Sequence, residues 1–511
     1  MAITEVNLWF AAGVLFAVYL ATTIVYRLYF HPLAKFPGPT LAAITDYWEL
    51  YQDFFREEGG HLYLELDKLH EKYGPVVRIR PNEVHVKDSH WMDVLYPGSL
   101  ERRDRDPLVG TAIGTPYATI GTGPHALHRI RKAAIAPFFS SRSVAEMEEM
   151  LQDRASIFCQ TLENQISKVL DMRVFFFAWT TDFITGQIFG NSAGVFWDGE
   201  RAHNYFDIMF DFSGKFPLTK HFPWLVTMGL ALPLAAWKIL FPSLVPYVSI
   251  YKDLLDRAQN ACIAHTDKSN VNPKDGKEDI FETILTSDLP PEEKTPKRMA
   301  NEVFNLLVAG SLTTAKTATY GIFHVLANPD IYERARAELK EAIPDNKSMP
   351  SLKTLQKLPV LTAIIKETNR LGCVVTTRFP MISPNKDLQH GETAIPAGSS
   401  ISMTYCKAGM DPSIFAEPNE FRPDRWIAGE QKPHDYDHYV LPFGRGSRVC
   451  IGAHLAYAQL YLLLAYAFRF FDMELYDTTR ERDIDIKGGG PLGEPTRSTK
   501  GVRVRVKGVV A

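Results

Sequence analysis

Cysteine is scarce in this 511-residue chain. The five present (Cys159, Cys262, Cys373, Cys406 and Cys450) are scattered, odd in number and form no C-x-x-C pair. That pattern argues against a disulfide framework and against zinc or iron–sulfur ligation. It fits a reducing compartment in which at most one thiol does chemistry. Charge excess is missing as well: the formal net charge is -3, which gives no reason to expect nucleic acid as a partner. Internal repeats and long low-complexity tracts are absent. No clean linker divides the chain after residue 40. Length alone suggests about three domains, yet residues 41–511 read as one large unit, mainly α with small β-sheets. Apolar residues at 46% and charged residues at 23% are ordinary for a globular protein.

The N-terminus holds the one long uncharged run. Between Glu5 and Arg27 stands "VNLWFAAGVLFAVYLATTIVY", and about twenty apolar residues cross a bilayer as a helix. Trp9 and Tyr26 lie near its ends, where aromatic rings favour the interface, and Arg27, His31 and Lys35 follow it. The positive-inside rule then puts the body of the protein in the cytosol. A cleaved signal peptide is the competing reading; its charge belongs before a shorter apolar core. Residues 1–30 are therefore expected to be a single-pass anchor, and "HPLAKFPGPT" (31–40), with three prolines, a stiff extended hinge.

Helical patterns dominate the remainder. "VVRIRPNEVHVKD" (76–88) alternates with period two and predicts a hairpin, and "GVRVRVKG" (501–508) alternates again. Surface loops are expected at 270–279 and 288–297. The apolar stretch 222–247 has Lys238 as its only charge and is interrupted by Pro233, Pro242 and Pro246. Those prolines count against a second span and against a pure core helix; a segment dipping into the bilayer edge accounts for both features.

"LPFGRGSRVCIG" (441–452) places Cys450 just ahead of a nearly all-apolar helix. Cations and the N–H groups of a helix start favour a thiolate, which is both nucleophile and soft metal ligand. The glycines permit close approach to something flat or bulky. One thiolate with an adjacent arginine suits a haem, iron on sulfur and Arg448 on a propionate. A buried free cysteine is the plain alternative. No phosphate-loop pattern surrounds it.

"FGRGSRVCIG" resembles the haem-binding signature of the cytochrome P450 family, F-x-x-G-x-R-x-C-x-G, through Phe443, Gly446, Arg448, Cys450 and Gly452. "KETNR" supplies an E-x-x-R (Glu367, Arg370) on a helix begun by Pro359, and "FRPDRW" supplies Arg425. The resemblance implies that Glu367, Arg370 and Arg425 form a buried charge cluster that fixes the cysteine loop. It also implies the fold of that family, haem b with axial thiolate from Cys450, and the arrangement of microsomal members. The wording of "TNRLG" and "EFRPDRW" is similar to filamentous-fungal members of secondary metabolism, such as trichodiene-oxygenase-like enzymes.

Two departures matter. "VAGSLTTAKTA" matches the distal-helix element A-G-x-[D/E]-T-T with Thr313 and Thr314, but Leu312 stands where the family has an acid. Thr313 resembles the threonine that hydrogen-bonds dioxygen and passes protons to it; a close-packing patch is the plain reading. The W-x-x-x-R of the family's C-helix reads here as "HRIRK", leaving His128 and Lys132 to reach a propionate or to sit in solvent. Arg378, eight residues after Arg370, resembles an arginine that pairs with a propionate; a surface or core salt bridge is the plain reading.

These readings predict a membrane-anchored haem-thiolate monooxygenase of the endoplasmic reticulum that oxidises a lipophilic small molecule, terpenoid-like or another secondary metabolite. No flavin- or nicotinamide-binding region is fused, so electrons are expected from NADPH through a separate NADPH-cytochrome P450 reductase. Rearrangement or dehydration at the haem without net oxygen insertion, motivated by Leu312, is one alternative. A non-catalytic haem protein that binds lipophiles is the other.

Overall fold

The computed structural model describes all residues except 1, 57, 99–100, 197, 226–231, 267–278, 345–349, 428–434 and 511. The N-terminal helix Ala2–Val25 runs on as a wider turn to Phe30. Trp9–Phe30 has a mean hydropathy of 1.8 and none of it is buried against the rest of the protein. Length and composition thus make it a candidate membrane span.

The proline-rich segment after it is docked, not free. Leu33 is fully buried, Arg78 N donates to Pro37 O (2.7 Å), and the Arg78 guanidinium reaches back to Arg27 O (2.7 Å). The predicted hairpin forms strands Val76–Arg80 and Glu83–Val86, two members of a five-stranded sheet completed by Ser400–Ser402, Met381–Ile382 and Asp104–Arg105. The C-terminal alternation becomes Arg503–Val509, the middle strand between Val169–Asp171 and Phe471–Leu475. Its inward valines 504 and 506 are fully buried.

Helices make up most of the fold, around the 31-residue distal helix Pro296–Leu326. Thr295 caps its start by accepting from Arg298 N, with Pro296 in the first turn, where a missing N–H costs nothing. Against it pack Met172–Phe189, Val245–Thr266, the charge-cluster helix Pro359–Gly372 and the cysteine helix Ala453–Phe470. Gly310 sets the closest approach: a Cβ there would lie 2.8 Å from Ile184 Cγ1. Thr180 Oγ1 donates across the same contact to Ser311 O (2.8 Å).

One difference from the sequence reading concerns cysteine. Cys373 and Cys406, 33 residues apart with Cα atoms 5.1 Å apart, are joined as a disulfide, leaving Cys159, Cys262 and Cys450 free. The end of the charge-cluster helix packs against the turn after Ser400–Ser402, and spacing along the chain carries no sign of that meeting.

The expected loop at 270–279 lies, except for Asp279, outside the described residues; Asp279 caps the helix Ile280–Thr286. The loop at 288–297 is only partly a surface loop, because Glu293 turns inward to pair with Arg131 (2.6 Å). Within 222–247, residues 226–231 lie outside the described residues. The described part contains a helix, Leu234–Leu240, whose Ile239 is 81% exposed.

Candidate active site

Four elements enclose a cavity of about 310 Å³: the cysteine loop, the distal helix, the segment 119–139 and the chain after the charge-cluster helix. Cys450 lines it at the mouth of the cysteine helix. The loop that presents Cys450 is tightly constrained. Cys450 N donates to Phe443 O (2.8 Å). Gly446 has φ 75°, and a Cβ there would come within 2.4 Å of Pro97 O, so both conformation and space require glycine. Lys132 Nζ donates to Val449 O (2.8 Å) and Ser447 O (3.2 Å). Phe443 packs against Tyr457 with ring centroids 5.0 Å apart. Gly452 is the N-cap of the cysteine helix.

Cys450 is open to the cavity, yet it lies deep in the protein mass. Burial pushes its thiol pKa up, against the opposing pull of Gly452 N–H and the Lys132 ammonium. Without a further cation the sulfur is a thiol; a bound metal ion holds such a group as thiolate.

The cluster expected to brace this loop is assembled and buried. Arg370 Nε and Nη2 donate to Glu367 at 2.9 and 2.7 Å. Arg425 Nε (3.0 Å), Trp426 Nε1 (2.8 Å) and Arg422 N (2.9 Å) add to the same carboxylate. The remaining Arg370 hydrogens go to carbonyls of Gly409, Pro418 and Glu420. Every charge in the cluster has a partner, as buried charges require.

On the opposite wall Ala309, Gly310, Thr313 and Thr314 line the cavity. Thr313 Oγ1 donates to Ala309 O (2.8 Å), one turn back. Leu312 faces away, packed in the hydrophobic core.

Along one side the cavity is strongly cationic. Arg105, His128, Lys132 and Arg448 all line it. Arg448 donates to Thr122 O (2.7 Å) and Gly123 O (2.6 Å), and Arg105 to Ile120 O (3.0 Å), but the buried Nε of each has no partner. Burial, then Arg105, pulls the Arg448 pKa down to about 9. Burial, then Arg448, Arg105 and Lys132, holds His128 down at about 2, so it is neutral. Among the described residues the cavity wall includes one carboxylate, Glu302, which is committed to Arg298. Two arginines with orphan N–H groups call for an anion. The donor set therefore fits a ligand with an iron for Cys450 and two carboxylates for this wall.

Arg378 corrects the expectation. Its guanidinium is absent from this cavity and is held between Glu49 (2.5 and 2.9 Å) and Glu83 (2.5 and 3.1 Å). Two buried carboxylates reach it first and take four of its five N–H groups. Arg105, one of three arginines in "RRDRD", takes the place by the anion wall. Nothing in the local sequence separates it from Arg102 and Arg103; the short strand pairing with Met381–Ile382 turns it inward.

The family model described as Cytochrome P450 matches residues 44–500. The chain belongs to the cytochrome P450 family. Cytochrome P450 monooxygenase sdnE of Sordaria araneosa is 35% identical over 98% of this chain and 98% of its own length. Tryptophan 6-hydroxylase fscE of Fusarium equiseti is 34% identical over 94% of each chain. Cytochrome P450 monooxygenase TRI4 of Trichoderma arundinaceum is 33% identical over 97% of this chain and 96% of its own. As a cytochrome P450 the protein is an oxidoreductase of the monooxygenase type. It binds haem b through the thiolate of Cys450, takes electrons from a redox partner and acts on lipophilic substrates.

Proposed function

We propose that this protein is a membrane-anchored haem-thiolate monooxygenase that hydroxylates or otherwise oxidises a lipophilic, terpenoid-like or similar secondary metabolite in a biosynthetic pathway. Residues 1–30 form the anchor in the endoplasmic reticulum membrane, residues 31–40 the hinge, and 41–511 the cytosolic catalytic domain. A separate NADPH-cytochrome P450 reductase supplies electrons. One observation carries the reading: Cys450 lines the same cavity as Ala309 and Thr313, and that cavity has an anion-seeking wall.

Bound haem supplies dioxygen activation, with the thiolate donating electron density that favours O–O cleavage. The chain's own residues hold and insulate it. Arg105, Arg448, Lys132 and neutral His128 bind the propionates. Phe443 and the glycine turns fix the sulfur. Thr313 and Thr314 offer hydroxyls on the distal side; Thr313 holds a proton in its bond to Ala309 O and can turn it toward the cavity. Glu367, Arg370 and Arg425 keep the cysteine loop in place without touching the reaction.

The test is a carbon monoxide difference spectrum of the reduced protein, with Cys450→Ala beside it. A thiolate-type Soret band in the wild type and its loss in the variant are expected; an unchanged band in the variant defeats the ligand assignment. A second reading, rearrangement or dehydration without oxygen insertion, is favoured by Leu312, which leaves no acid at that turn of the distal helix. Turnover under labelled dioxygen separates the two, because only insertion adds label to the product.

A further inference from the structure

The cytochrome P450 chemistry uses the end of the distal helix near Thr313. Three turns earlier on the same helix, the same cavity has a polar wall that the chemistry leaves unused. Glu302 and Asn305 both line it. They share a face with Ala309 and Thr313, since steps of three, four and seven residues return to one side of a helix. Glu302 is 1% exposed. Its Oε2 is fully occupied, accepting from Thr119 N (3.0 Å), Thr119 Oγ1 (2.6 Å) and Arg298 Nη2 (2.7 Å). Oε1 takes no hydrogen bond from any described residue, and neither does the carboxamide of Asn305. An anchored carboxylate with one free oxygen, beside a free carboxamide, is a prepared hydrogen-bonding site, because its geometry is already fixed.

We propose that Glu302 and Asn305 anchor the substrate, selecting a lipophile that already carries a neutral hydrogen-bond donor, a hydroxyl or an N–H. The donor lies roughly 16 Å from Thr313 along the helix axis, eleven residues at about 1.5 Å each. Glu302 Oε1 accepts from the donor; Asn305 accepts or donates beside it. Leu306, Ala309, Ile120 and Ile184 line the cavity between the two ends and suit an apolar body.

Charge decides the kind of donor. Glu302 is paired with Arg298 and Glu293 with Arg131, so the four charges behind the wall already balance. An ammonium brings an unbalanced cation into a low-dielectric cavity, and a carboxylate meets the charge of Glu302; a neutral donor does neither. The enzyme therefore oxidises a molecule at a position remote from an existing hydroxyl or N–H. The reaction that supplies its substrate is of the class that installs such a group on an apolar skeleton.

This inference rests on the monooxygenase reading of the same cavity, and the experiment separates their failures. The haem-loaded enzyme is titrated with tetradecane, 1-tetradecanol and tetradecanoate, following the Soret band. The alcohol is expected to bind about tenfold or more tighter than the hydrocarbon, a hydrogen bond to a charged acceptor being worth that much. Tetradecanoate binds weakest. In Glu302→Gln the alcohol preference drops severalfold and tetradecanoate tightens, while tetradecane is unchanged. Asn305→Leu, which leaves the Glu302–Arg298 pair intact, also lowers the alcohol preference. Equal binding of alcohol and hydrocarbon, no shift with the alcohol, or full preference retained in Glu302→Gln overturns the anchor. A protein with no thiolate-type Soret band fails the monooxygenase reading instead.

Discussion

Single residues in this protein divide between two uses of arginine. Arg105 keeps an unpaired Nε beside the cavity, whereas Arg378 is locked between Glu49 and Glu83. The two should fail differently. Arg105→Leu is expected to speed haem loss to apomyoglobin about tenfold with little change in unfolding of the apoprotein. Arg378→Leu strands two buried carboxylates and should lower stability by about 3 kcal/mol or more, with haem retention intact in what remains folded. Equal haem loss in both would show that Arg105 has no special claim on the propionates. His324 offers a pH test. It is stacked on Phe421 (4.7 Å), and burial, then Arg480 and Arg370, holds it down to about 3. The unfolded chain takes up this proton near pH 6.5 and the folded protein does not. Stability is therefore lost as pH falls from about 6.5 toward about 3, at up to about 1.4 kcal/mol per pH unit. Replacing His324 by Phe should flatten denaturant-measured stability between roughly pH 6 and 4 by one proton's worth of slope.

Elements position the site through two contacts that are sensitive to small changes. The polar ties between the charge-cluster helix and the 409–426 segment run through Glu367, Arg370 and Arg425, with Trp426 adding a bond to Glu367. Glu367→Ala leaves two buried arginines unpaired, and a loss of about 3–5 kcal/mol is expected, read as a fall in the chemical-denaturation midpoint and in haem content. The distal helix meets Met172–Phe189 at Gly310. Gly310→Ala forces a methyl onto Ile184 and should cost about 1–3 kcal/mol. Trimming the neighbour in Gly310→Ala/Ile184→Ala should recover part of that cost. A double variant no better than the sum of its parts would place the strain elsewhere.

At the scale of the whole molecule, large apolar side chains are exposed outside the N-terminal helix as well as on it. Besides the N-terminal helix, Trp224, Ile239 and Leu240 are exposed, as are Tyr47 and Phe55 near the docked hinge. Removing residues 2–24, which spares the Arg27 contacts that hold the hinge, should leave a haem-competent protein that still cosediments partly with phospholipid vesicles. Adding Ile239→Ser and Leu240→Ser should release it to the supernatant. Full solubility from the truncation alone would confine membrane contact to the N-terminal helix.

Much of this molecule was legible without coordinates. The long apolar N-terminal helix, the hairpin at 76–88, the C-terminal strand and the helix begun by Pro359 follow from local rules: uninterrupted apolarity, period-two alternation, proline at a helix start. The cysteine loop was legible because glycine, arginine and thiol must stand at fixed intervals to seat one flat cofactor, and that interval is local too. Long-range pairing was not. Which arginine faces the cavity, which carboxylates hold Arg378, whether Cys373 meets Cys406 and whether Glu302 opens onto the same space as Cys450 depend on segments up to hundreds of residues apart. Side-chain type fixes what a residue can bond; only the packed chain fixes which partner reaches it first.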